Sequence, residues 1–354
     1  MLKRKTILIM AGGTGGHIMP GLAVADYLRD LGWRVVWMGN PDGMEARLIP
    51  GKGYETAWVL FGALRGKGVL RKLTLPFNLL RGLVQARRVI KRVKPDVVIG
   101  FGGFITFPGG IMAVLCRTPL VLHEQNSIAG LANKVLSRFA NRVLTGFPGV
   151  FDKGEWCGSP VRPAIAALPS PKRRFAGRSG RLHLLVVGGS LGAQALNEAV
   201  PAALALIPAE ERPDVVHQSG EKHLGALNEN YQRAGVEAHA VAFIEDMAGA
   251  YEWADLVICR AGALTIAELA AAGMASILVP FPHAVDDHQT SNARFLADAG
   301  AAILLPQAEL TAEKLSLLRT LPRGQLQQMA EKARALAKPD AAEVVAKVCM
   351  ELAK

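Results

Sequence analysis

The sequence predicts an α/β protein made of two Rossmann-like domains, each with a doubly wound parallel sheet. Short apolar runs alternate with longer helical segments along the chain, which is typical of parallel strands joined by crossover helices. A length of 354 residues suits two domains that each bury a core. A strand followed by glycines in the first half recurs in the second half, which indicates two similar domains rather than one large sheet.

The individual elements follow from local periodicity. The predicted strands are short runs dominated by aliphatic residues, and they span residues 6–10, 34–37, 97–99, 120–123, 182–187, 215–218, 256–258 and 276–279. The predicted helices are longer and are spaced for one buried face, and they span residues 21–31, 77–93, 194–207, 265–272 and 289–299. Residues 1–162 and 163–339 are the expected domains, with a C-terminal helix at 340–354 packing back on the first.

The internal repeat has two parts. Residues 8–14 (LIMAGGT) resemble residues 184–190 (LLVVGGS). A weaker match pairs residues 96–99 and Gly103 with residues 255–258 and Gly262. Each half therefore has two units in which a strand runs into a glycine turn.

The net charge of +11 is confined to the first half of the chain. Residues 1–160 carry 22 basic and 9 acidic side chains, a net charge of +13, and the remaining residues carry 19 basic and 21 acidic ones, a net charge of −2. Residues 56–95 contain ten basic residues and no acidic residue. Because aliphatic rather than aromatic residues accompany this charge, the segment 69–84 favours an anionic membrane surface over nucleic acid. The alternative is an ordinary amphipathic helix with a solvated basic face.

Several other classes of protein fit poorly. Four cysteines without a CxxC pair indicate a reduced cytosolic protein rather than a disulfide scaffold or a metal site. No secretory apolar region follows the basic N-terminus. Residues 97–116 form a charge-free run long enough to cross a bilayer, but five glycines and Pro108 predict a strand, a glycine loop and a new helix instead.

Four glycine turns follow predicted strands, at residues 12–17 (GGTGGH), 100–103 (GFGG), 188–190 (GGS) and 261–263 (AGA). A glycine backbone can approach a phosphate closely, and the helix behind it offers free N–H groups and the positive end of its dipole. The four turns predict a diphosphate ligand in the cleft between the domains, with tight structural turns as the alternative. The GxGxxG and GxxxxGK[S/T] patterns are missing, which argues against a dehydrogenase and a P-loop NTPase.

Three of these turns belong to longer motifs, at residues 100–104 (GFGGF), 188–193 (GGSLGA) and 262–265 (GALT), and two further motifs lie at residues 123–126 (HEQN) and 286–289 (DDHQ). Together with residues 12–17, these motifs resemble the MurG family of bacterial GT-B glycosyltransferases over nearly the whole chain. The resemblance implies transfer of GlcNAc from UDP-GlcNAc to the MurNAc C4 hydroxyl of undecaprenyl-pyrophosphoryl-MurNAc-pentapeptide (lipid I). It implies inversion at the anomeric carbon, lipid II as product for peptidoglycan, and neither a cofactor nor a catalytic metal. It also implies a peripheral place on the cytoplasmic face of the bacterial inner membrane, with other cell-wall synthesis proteins as candidate partners.

The same resemblance assigns the UDP-sugar mainly to the second domain. Ser190 would lie at the phosphates, Glu268 on the ribose hydroxyls and Ile244 at the uracil. Gln289 would contact the sugar, and Arg162 is another expected donor contact, for which an interdomain ion pair is the alternative. The full set of expected donor-binding residues is Thr14, Gly15, Gly16, Asn126, Arg162, Ser190, Ile244, Ala263, Leu264, Thr265, Ile266, Ala267, Glu268 and Gln289.

The first domain is expected to hold the acceptor and the catalytic base. The resemblance implies a cradle for the acceptor pyrophosphate made by Gly12, Gly13, Gly102 and Gly103. His17 is the first candidate base, because it lies in the glycine loop and its ordinary pKa is near ~6.5. Glu124 is the second candidate, and His288 is a third that is better suited to a structural role. His17 has an alternative role as a hydrogen-bond partner of a phosphate or of the backbone.

Two alternative functions remain open at the level of the sequence. A UDP-GlcNAc 2-epimerase-like enzyme of the same fold would bind the same donor without a lipid, and the aliphatic basic segment 69–84 argues against it. A non-catalytic nucleotide-sugar-binding protein would keep the glycine loops without turnover.

Overall fold

The computed structural model describes residues 4–62, 69–189 and 192–353, and it describes residues 69–75 and Val285 by their backbone alone. The chain divides into two compact units, Met1–Arg162 with Pro339–Lys354, and Pro163–Lys338. Each unit contains one sheet in which all paired strands are parallel. The predicted α/β class with two parallel-sheet domains is therefore confirmed.

The strands are β1 (Thr6–Ala11), β2 (Arg34–Gly39), β3 (Glu55–Trp58), β4 (Val97–Gly102), β5 (Leu120–Glu124), β6 (Arg142–Thr145), β7 (Glu155–Trp156), β8 (His183–Val187), β9 (Asp214–Gln218), β10 (His239–Val241), β11 (Leu256–Cys259), β12 (Ser276–Leu278) and β13 (Ala302–Leu304). The α-helices are α1 (Gly15–Asp30), α2 (Met44–Leu48), α3 (Val69–Val93), α4 (Thr106–Leu115), α5 (Leu131–Leu136), α6 (Pro163–Ala166), α7 (Pro171–Phe175), α8 (Gln194–Ala205), α9 (Leu224–Ala234), α10 (Met247–Trp253), α11 (Ala263–Ala272), α12 (His288–Ala297), α13 (Ala312–Ser316), α14 (Arg323–Ala335) and α15 (Ala341–Leu352).

The sheet of the first unit has the order β3-β2-β1-β4-β5-β6-β7. All six residues of β1 are buried, because the strand is central and both faces of the sheet are covered. Ile7 and Ile9 belong to a core that includes residues of α1 and α15, whereas Leu8 and Met10 belong to a second core that includes residues of α3 and α4. This alternation is the period of two that a strand imposes on its side chains.

Helix α15 completes the first unit although it follows the second unit in the chain. It packs on α1 and β4. Val345, Ala346 and Cys349 on this helix are fully buried in the core that contains Ile7 and Ile9.

The sheet of the second unit has the order β10-β9-β8-β11-β12-β13. Its first strand β8 lies between β9 and β11, just as β1 lies between β2 and β4. The two parts of the sequence repeat thus occupy equivalent places, since residues 8–14 and 184–190 contain β1 and β8 with their glycine turns. Residues 97–99 and 256–258 lie in β4 and β11. The predicted repeat of a structural unit is confirmed.

The buried carboxylate of Asp255 fixes the start of β11. Its side chain is fully buried and accepts hydrogen bonds from Arg178 (2.5 Å), Arg323 (3.1 Å) and the His183 N–H (3.0 Å). Burial alone would raise the pKa of Asp255, but the hydrogen bonds from Arg178 and His183 and the charges of the two arginines lower it below its ordinary value.

The predicted helices and strands are all present, with different ends. Helix α1 begins at Gly15, six residues before the predicted start, and runs through Pro20. The carbonyl that Pro20 leaves without an N–H partner is that of Gly16. Helix α3 likewise begins at Val69 and runs through Pro76. Five strands were not predicted, namely β3, β6, β7, β10 and β13, and each has only two to four residues.

The charge-free run at 97–116 contains β4, a turn and α4, as predicted. Over residues 4–62, 69–189 and 192–353, none of the helices has both the length and the apolar character needed to cross a bilayer.

Candidate active site

The first glycine loop, residues 12–14, joins β1 to α1. Gly13 has a φ of +90°, a conformation that strains any residue with a Cβ. Thr14 is extended and precedes the helix without a capping bond from its side chain. Gly15 and Gly16 lie in the first turn of α1, where no carbonyl one turn earlier is available to their N–H groups. These amides and the positive end of the helix dipole suit an anion.

A buried carboxylate holds this loop in place. Glu45, in the first turn of α2, is 1% exposed. Its Oε2 accepts a hydrogen bond from the Gly13 N–H at 3.0 Å, and its Oε1 accepts one from the Asn40 N–H at 2.9 Å. Three glycines make room for this side chain, since a Cβ at any of them would collide with it: Gly12, Gly39 and Gly43.

The candidate base His17 is half-buried in the first turn of α1. Its Nδ1 lies 3.2 Å from the carbonyl oxygen of Gly12 and 3.3 Å from the hydroxyl oxygen of Thr14. The ring packs on Gly102, where an added Cβ would lie 2.8 Å from Cδ2 and 3.0 Å from Nε2. His17 therefore lies between the two glycine loops of the first unit.

The second glycine loop follows β4. Gly102 and Gly103 have φ values of +99° and +79°, and a Cβ on Gly103 would collide with the carbonyl oxygen of Gly12. The Thr106 hydroxyl fixes the turn, because it donates to the Gly102 carbonyl at 2.8 Å and accepts from the Gly102 N–H at 3.2 Å. Both loops lie where the strand order changes direction between β1 and β4. Doubly wound sheets bind their ligands at this point.

Glu124, at the end of β5, has a carboxylate whose two oxygens both accept hydrogen bonds. Glu124 is 3% exposed. Its Oε1 accepts from the backbone N–H (3.0 Å) and the side-chain amide (3.3 Å) of Asn126, and its Oε2 accepts from the Gly130 N–H (3.0 Å) and the Asn133 amide (2.9 Å). Both oxygens are thus occupied by donors. This geometry favours a role in positioning Asn126 over the role of base expected from the sequence.

The glycine loop of the second unit joins β8 to α8, and Ser190 within it lies outside the described residues. Gly189 has a φ of +84°, and Gln218 at the end of β9 binds both its N–H (3.2 Å) and its carbonyl (2.9 Å). Gly192 has a φ of +77°, and a Cβ there would collide with the carbonyl oxygen of Ser219. Both ends of this loop are therefore held by the end of β9.

The N-terminus of α11 offers a second set of backbone donors. Gly262 precedes the helix in an extended conformation, and its carbonyl accepts the first helical hydrogen bond from Ile266 at 3.0 Å. The N–H groups of Ala263, Leu264 and Thr265 come before that bond, so no carbonyl of the helix satisfies them. A diphosphate placed there would meet amides and the positive end of the helix dipole. Ala267 follows in the same helix.

Glu268 is one turn further along α11 and is 5% exposed. One of its oxygens lies 3.4 Å from the hydroxyl of the buried Tyr251, which donates to it. Glu268 is therefore not a solvated glutamate on a helix surface. A buried carboxylate needs hydrogen-bond donors, and ribose hydroxyls are suitable ones.

The remaining predicted donor residues lie on α12 and on separate loops. Gln289 is on α12, and its side-chain oxygen accepts from the Phe281 N–H at 2.9 Å. The two residues before α12, Asp286 and Asp287, have φ values of +54° and +50°. Such strain is typical of functional loops. Half-buried positions are occupied by His288 at the start of α12, Ile244 between β10 and α10, and Arg162 at the end of the first unit's main segment.

Sequence reasoning missed Glu45 and Gln218. The two side chains have equivalent structural roles, since each accepts a hydrogen bond from the backbone N–H of the second glycine of a loop, Gly13 for Glu45 and Gly189 for Gln218. Each also comes from the strand next to the first strand of its sheet or from the segment just after it. The paired glycines at 39 and 43 were the available signal for Glu45.

Two parallel α/β units, each with a glycine loop after its first strand, are the architecture of the GT-B fold class. Family comparison agrees with this class. The Glycosyltransferase family 28 N-terminal domain matches residues 7–145, and the Glycosyltransferase family 28 C-terminal domain matches residues 183–345.

Full-length relatives narrow the family. A protein of Dechloromonas aromatica is 67% identical over 350 residues, and one of Azoarcus sp. is 67% identical over 351 residues; 99% of each chain is covered. Both are named UDP-N-acetylglucosamine--N-acetylmuramyl-(pentapeptide) pyrophosphoryl-undecaprenol N-acetylglucosamine transferase. The crystal structure of Acinetobacter baumannii MurG superposes with a TM-score of 0.85 at 42% identity, covering 98% of this chain and 99% of that one. The glycosyltransferase of kitacinnamycin, at 17% identity and a TM-score of 0.70 over 98% and 100% of the chains, shares the fold. The chain belongs to glycosyltransferase family 28, in its MurG branch.

Proposed function

We propose that this protein transfers GlcNAc from UDP-GlcNAc to the MurNAc C4 hydroxyl of undecaprenyl-pyrophosphoryl-MurNAc-pentapeptide, which yields lipid II for peptidoglycan. The observation that carries the proposal is 67% identity, over 99% of both chains, to relatives whose name gives this donor, this acceptor and this transferred group. The geometry agrees with it, because each unit presents helix amides at a glycine loop.

The donor is proposed to lie mainly on the second unit. The N–H groups of Ala263, Leu264 and Thr265 bind the diphosphate, and Glu268 accepts hydrogen bonds from the ribose hydroxyls. As the bond to the sugar breaks, negative charge develops on the leaving UDP, and fixed amides stabilise it without having to reorient. This role requires neither a cofactor nor a metal. The other proposed donor contacts are those predicted from the sequence: Thr14, Gly15, Gly16, Asn126, Arg162, Ser190, Ile244, Ile266, Ala267 and Gln289.

The acceptor is proposed to lie on the first unit, with its pyrophosphate at the two glycine loops. The N–H of Gly13 is engaged by Glu45, and Gly15 and Gly16 belong to the proposed contacts of UDP-GlcNAc, so the acceptor pyrophosphate is proposed to lie against Gly12, Gly102 and Gly103. The backbone of Gly103 passes so close to Gly12 that a Cβ on Gly103 would collide with the Gly12 carbonyl oxygen. The absence of side chains at Gly102 and Gly103 then lets the pyrophosphate approach His17.

His17 is proposed as the general base. The oxygen of the acceptor C4 hydroxyl attacks the anomeric carbon, the bond from that carbon to the β-phosphate oxygen breaks, and UDP leaves with the electron pair. Nε2 of His17 takes the hydroxyl proton. Attack on the face opposite the leaving group inverts the anomeric centre. Glu124 is assigned to hold Asn126, since both of its oxygens already accept hydrogen bonds.

Helix α3 is proposed to attach the enzyme to the cytoplasmic face of the inner membrane. Its buried face includes Ala86, Val89 and Ile90. Its exposed stripe repeats at helical spacing and carries both apolar and basic side chains: Phe77 (68% exposed), Leu80 (60%), Val84 (42%), Arg81, Arg87 and Arg88. Such a stripe combines insertion into the headgroup region with attraction to anionic lipids. Arg65 and Lys67, which belong to the same basic segment, lie outside the described residues.

The function is tested by coupled measurement of UDP release from UDP-GlcNAc with and without lipid I. The proposal expects release that requires lipid I, together with a lipid-linked disaccharide product. Formation of UDP-ManNAc without lipid would replace it with an epimerase. Binding of UDP-GlcNAc with no turnover under either condition would replace it with a non-catalytic binding protein.

A further inference from the structure

Glu45 takes no direct part in the reaction proposed above. Its carboxylate is buried beneath a loop that is proposed to bind phosphates, and negative charge there repels them. A buried carboxylate is also costly unless it is hydrogen-bonded. Three glycines nevertheless leave space for this one side chain, so the site is built for Glu45 in particular.

The Gly12–Gly13 peptide joins Glu45 to His17. A peptide group is planar and trans, so its C=O and N–H point in opposite directions, and the described residues contain no cis peptide bond. On one side the Gly13 N–H donates to Glu45 Oε2 at 3.0 Å. On the other side the Gly12 carbonyl oxygen lies 3.2 Å from Nδ1 of His17. One rigid plane thus touches both side chains.

This contact depends on where the imidazole proton resides. A carbonyl oxygen only accepts, so it bonds Nδ1 only when Nδ1 carries the proton. The Thr14 hydroxyl, at 3.3 Å from the same nitrogen, can donate to it in the opposite tautomer. The tautomer of a neutral histidine is set by the hydrogen bond at one of its nitrogens. Fixing the Gly12 carbonyl therefore selects between these two states.

We propose that Glu45 is a positioning residue for His17. By holding the Gly13 N–H, it aims the Gly12 carbonyl at Nδ1, keeps the proton there and leaves the lone pair on Nε2. Nε2 is the nitrogen on the side of Gly102 and the second glycine loop. The catalytic consequence rests on the proposed function, in which Nε2 takes the acceptor proton, whereas the tautomer itself does not depend on it.

The first test is the nitrogen NMR spectrum of the full-length protein with 15N-labelled histidine, in which His17 is assigned by comparison with His17→Ala. The proposal expects neutral His17 to carry its proton on Nδ1, against the preference of isolated histidine side chains for Nε2. Neutral His17 with its proton on Nε2 in the unsubstituted protein would overturn the inference.

The second test is Glu45→Gln, which keeps the shape but offers one oxygen to two N–H groups. His17 should shift towards the Nε2–H tautomer, and kcat should fall about tenfold or more, because a misplaced proton disables a general base. The affinity for UDP, which lacks the sugar, should change less than about twofold, since the proposed contacts with the diphosphate and the ribose belong to α11 and not to the loop that Glu45 holds. Glu55→Gln, at an exposed ion pair of the same unit, is the matched control. An unchanged His17 tautomer and unchanged kcat in Glu45→Gln would refute the proposal.

Different results would refute the role of His17 as general base and the role of Glu45 as its positioning residue. If His17 has the Nδ1–H tautomer but His17→Ala turns over normally, the base assignment is wrong and the positioning by Glu45 stands. If His17→Ala is inactive but His17 has the Nε2–H tautomer, the base stands and the inference about Glu45 is wrong. Should Glu45→Gln unfold, the tautomer of the unsubstituted protein still decides the inference.

Discussion

The exposed stripe of α3 allows charge and apolar insertion to be separated in one experiment. Changing Arg81, Arg87 and Arg88 together to glutamine removes three positive charges and no buried contact, since all three side chains are exposed. Each basic residue near an anionic surface contributes about 1 kcal/mol, so the triple variant should lose roughly 3 kcal/mol, or about 150-fold, in binding to anionic vesicles.

The apolar part has a different magnitude and a different dependence on salt. Phe77 and Leu80 are 68% and 60% exposed, and complete transfer of such a side chain from water contributes roughly 1.5–3 kcal/mol. Scaling by the exposed fractions, changing both to serine should cost about 2–4 kcal/mol. This loss should persist at high salt, whereas the loss from the arginines should vanish as the Debye length shrinks from about 10 Å to about 3 Å.

Vesicle sedimentation at low and high salt, with anionic and neutral lipid, measures both effects. Lys172→Gln, Arg173→Gln and Arg233→Gln in the second unit remove the same charge from exposed positions and serve as the matched control. If the α3 triple variant binds like that control, the stripe is an ordinary solvated helix face and the proposed attachment is wrong.

Three further outcomes are expected. Glu268→Gln should weaken UDP binding about tenfold or more while unfolding stays cooperative, since a hydrogen bond to a charged group contributes roughly 1.5–3 kcal/mol; calorimetric titration with equal affinity would remove Glu268 from the ribose site. Asp255→Asn should lower the free energy of unfolding by about 3 kcal/mol. The pKa of Asp255 is lowered in the folded state, so the loss of stability in Asp255→Asn should be complete above the unfolded pKa of about 3.9 and should shrink as the pH falls through the folded-state pKa. Urea unfolding that gives the same loss of stability at about pH 7 and about pH 3 would contradict this. Gly103→Ala should lower the melting temperature more than Gly32→Ala does. Both glycines have positive φ, which costs an L-residue roughly 1–2 kcal/mol, but only at Gly103 would the added Cβ collide with backbone atoms, those of Gly12. Equal melting temperatures of the two variants would show that the loop at Gly103 moves to accommodate the Cβ.

The parts of the fold that were predictable are those with continuous apolar sequence. Strands β1, β4, β8 and β11 are buried on both faces and read as unbroken runs. Edge strands such as β7, with two residues, are too short to show any period. The predicted start of helix α1 was too late because the helix opens with two glycines and contains Pro20 soon after them, and both residue types normally mark a loop.

In the candidate site, too, the local features were predictable from the sequence and the long-range contacts were not. Glycine turns after strands are local features, and positive φ values at Gly13, Gly102, Gly103 and Gly189 agree with their prediction. The side chains that hold those turns are distant in the sequence. Glu45 is 32 residues from Gly13, and Gln218 is 29 residues from Gly189. A hydrogen bond from a backbone amide to a remote side chain leaves no periodic trace, so only coordinates reveal it.

The position of α15 has a consequence for biosynthesis. During translation the first unit leaves the ribosome long before residues 341–352, yet Val345, Ala346 and Cys349 are part of its core. Until the whole second unit has been made, the nascent first unit exposes the apolar groove on α1 and β4 that this helix later fills. The unit that begins synthesis first is therefore completed last, and chains cut short near their C-terminus should present their folding defect at the opposite end of the sequence.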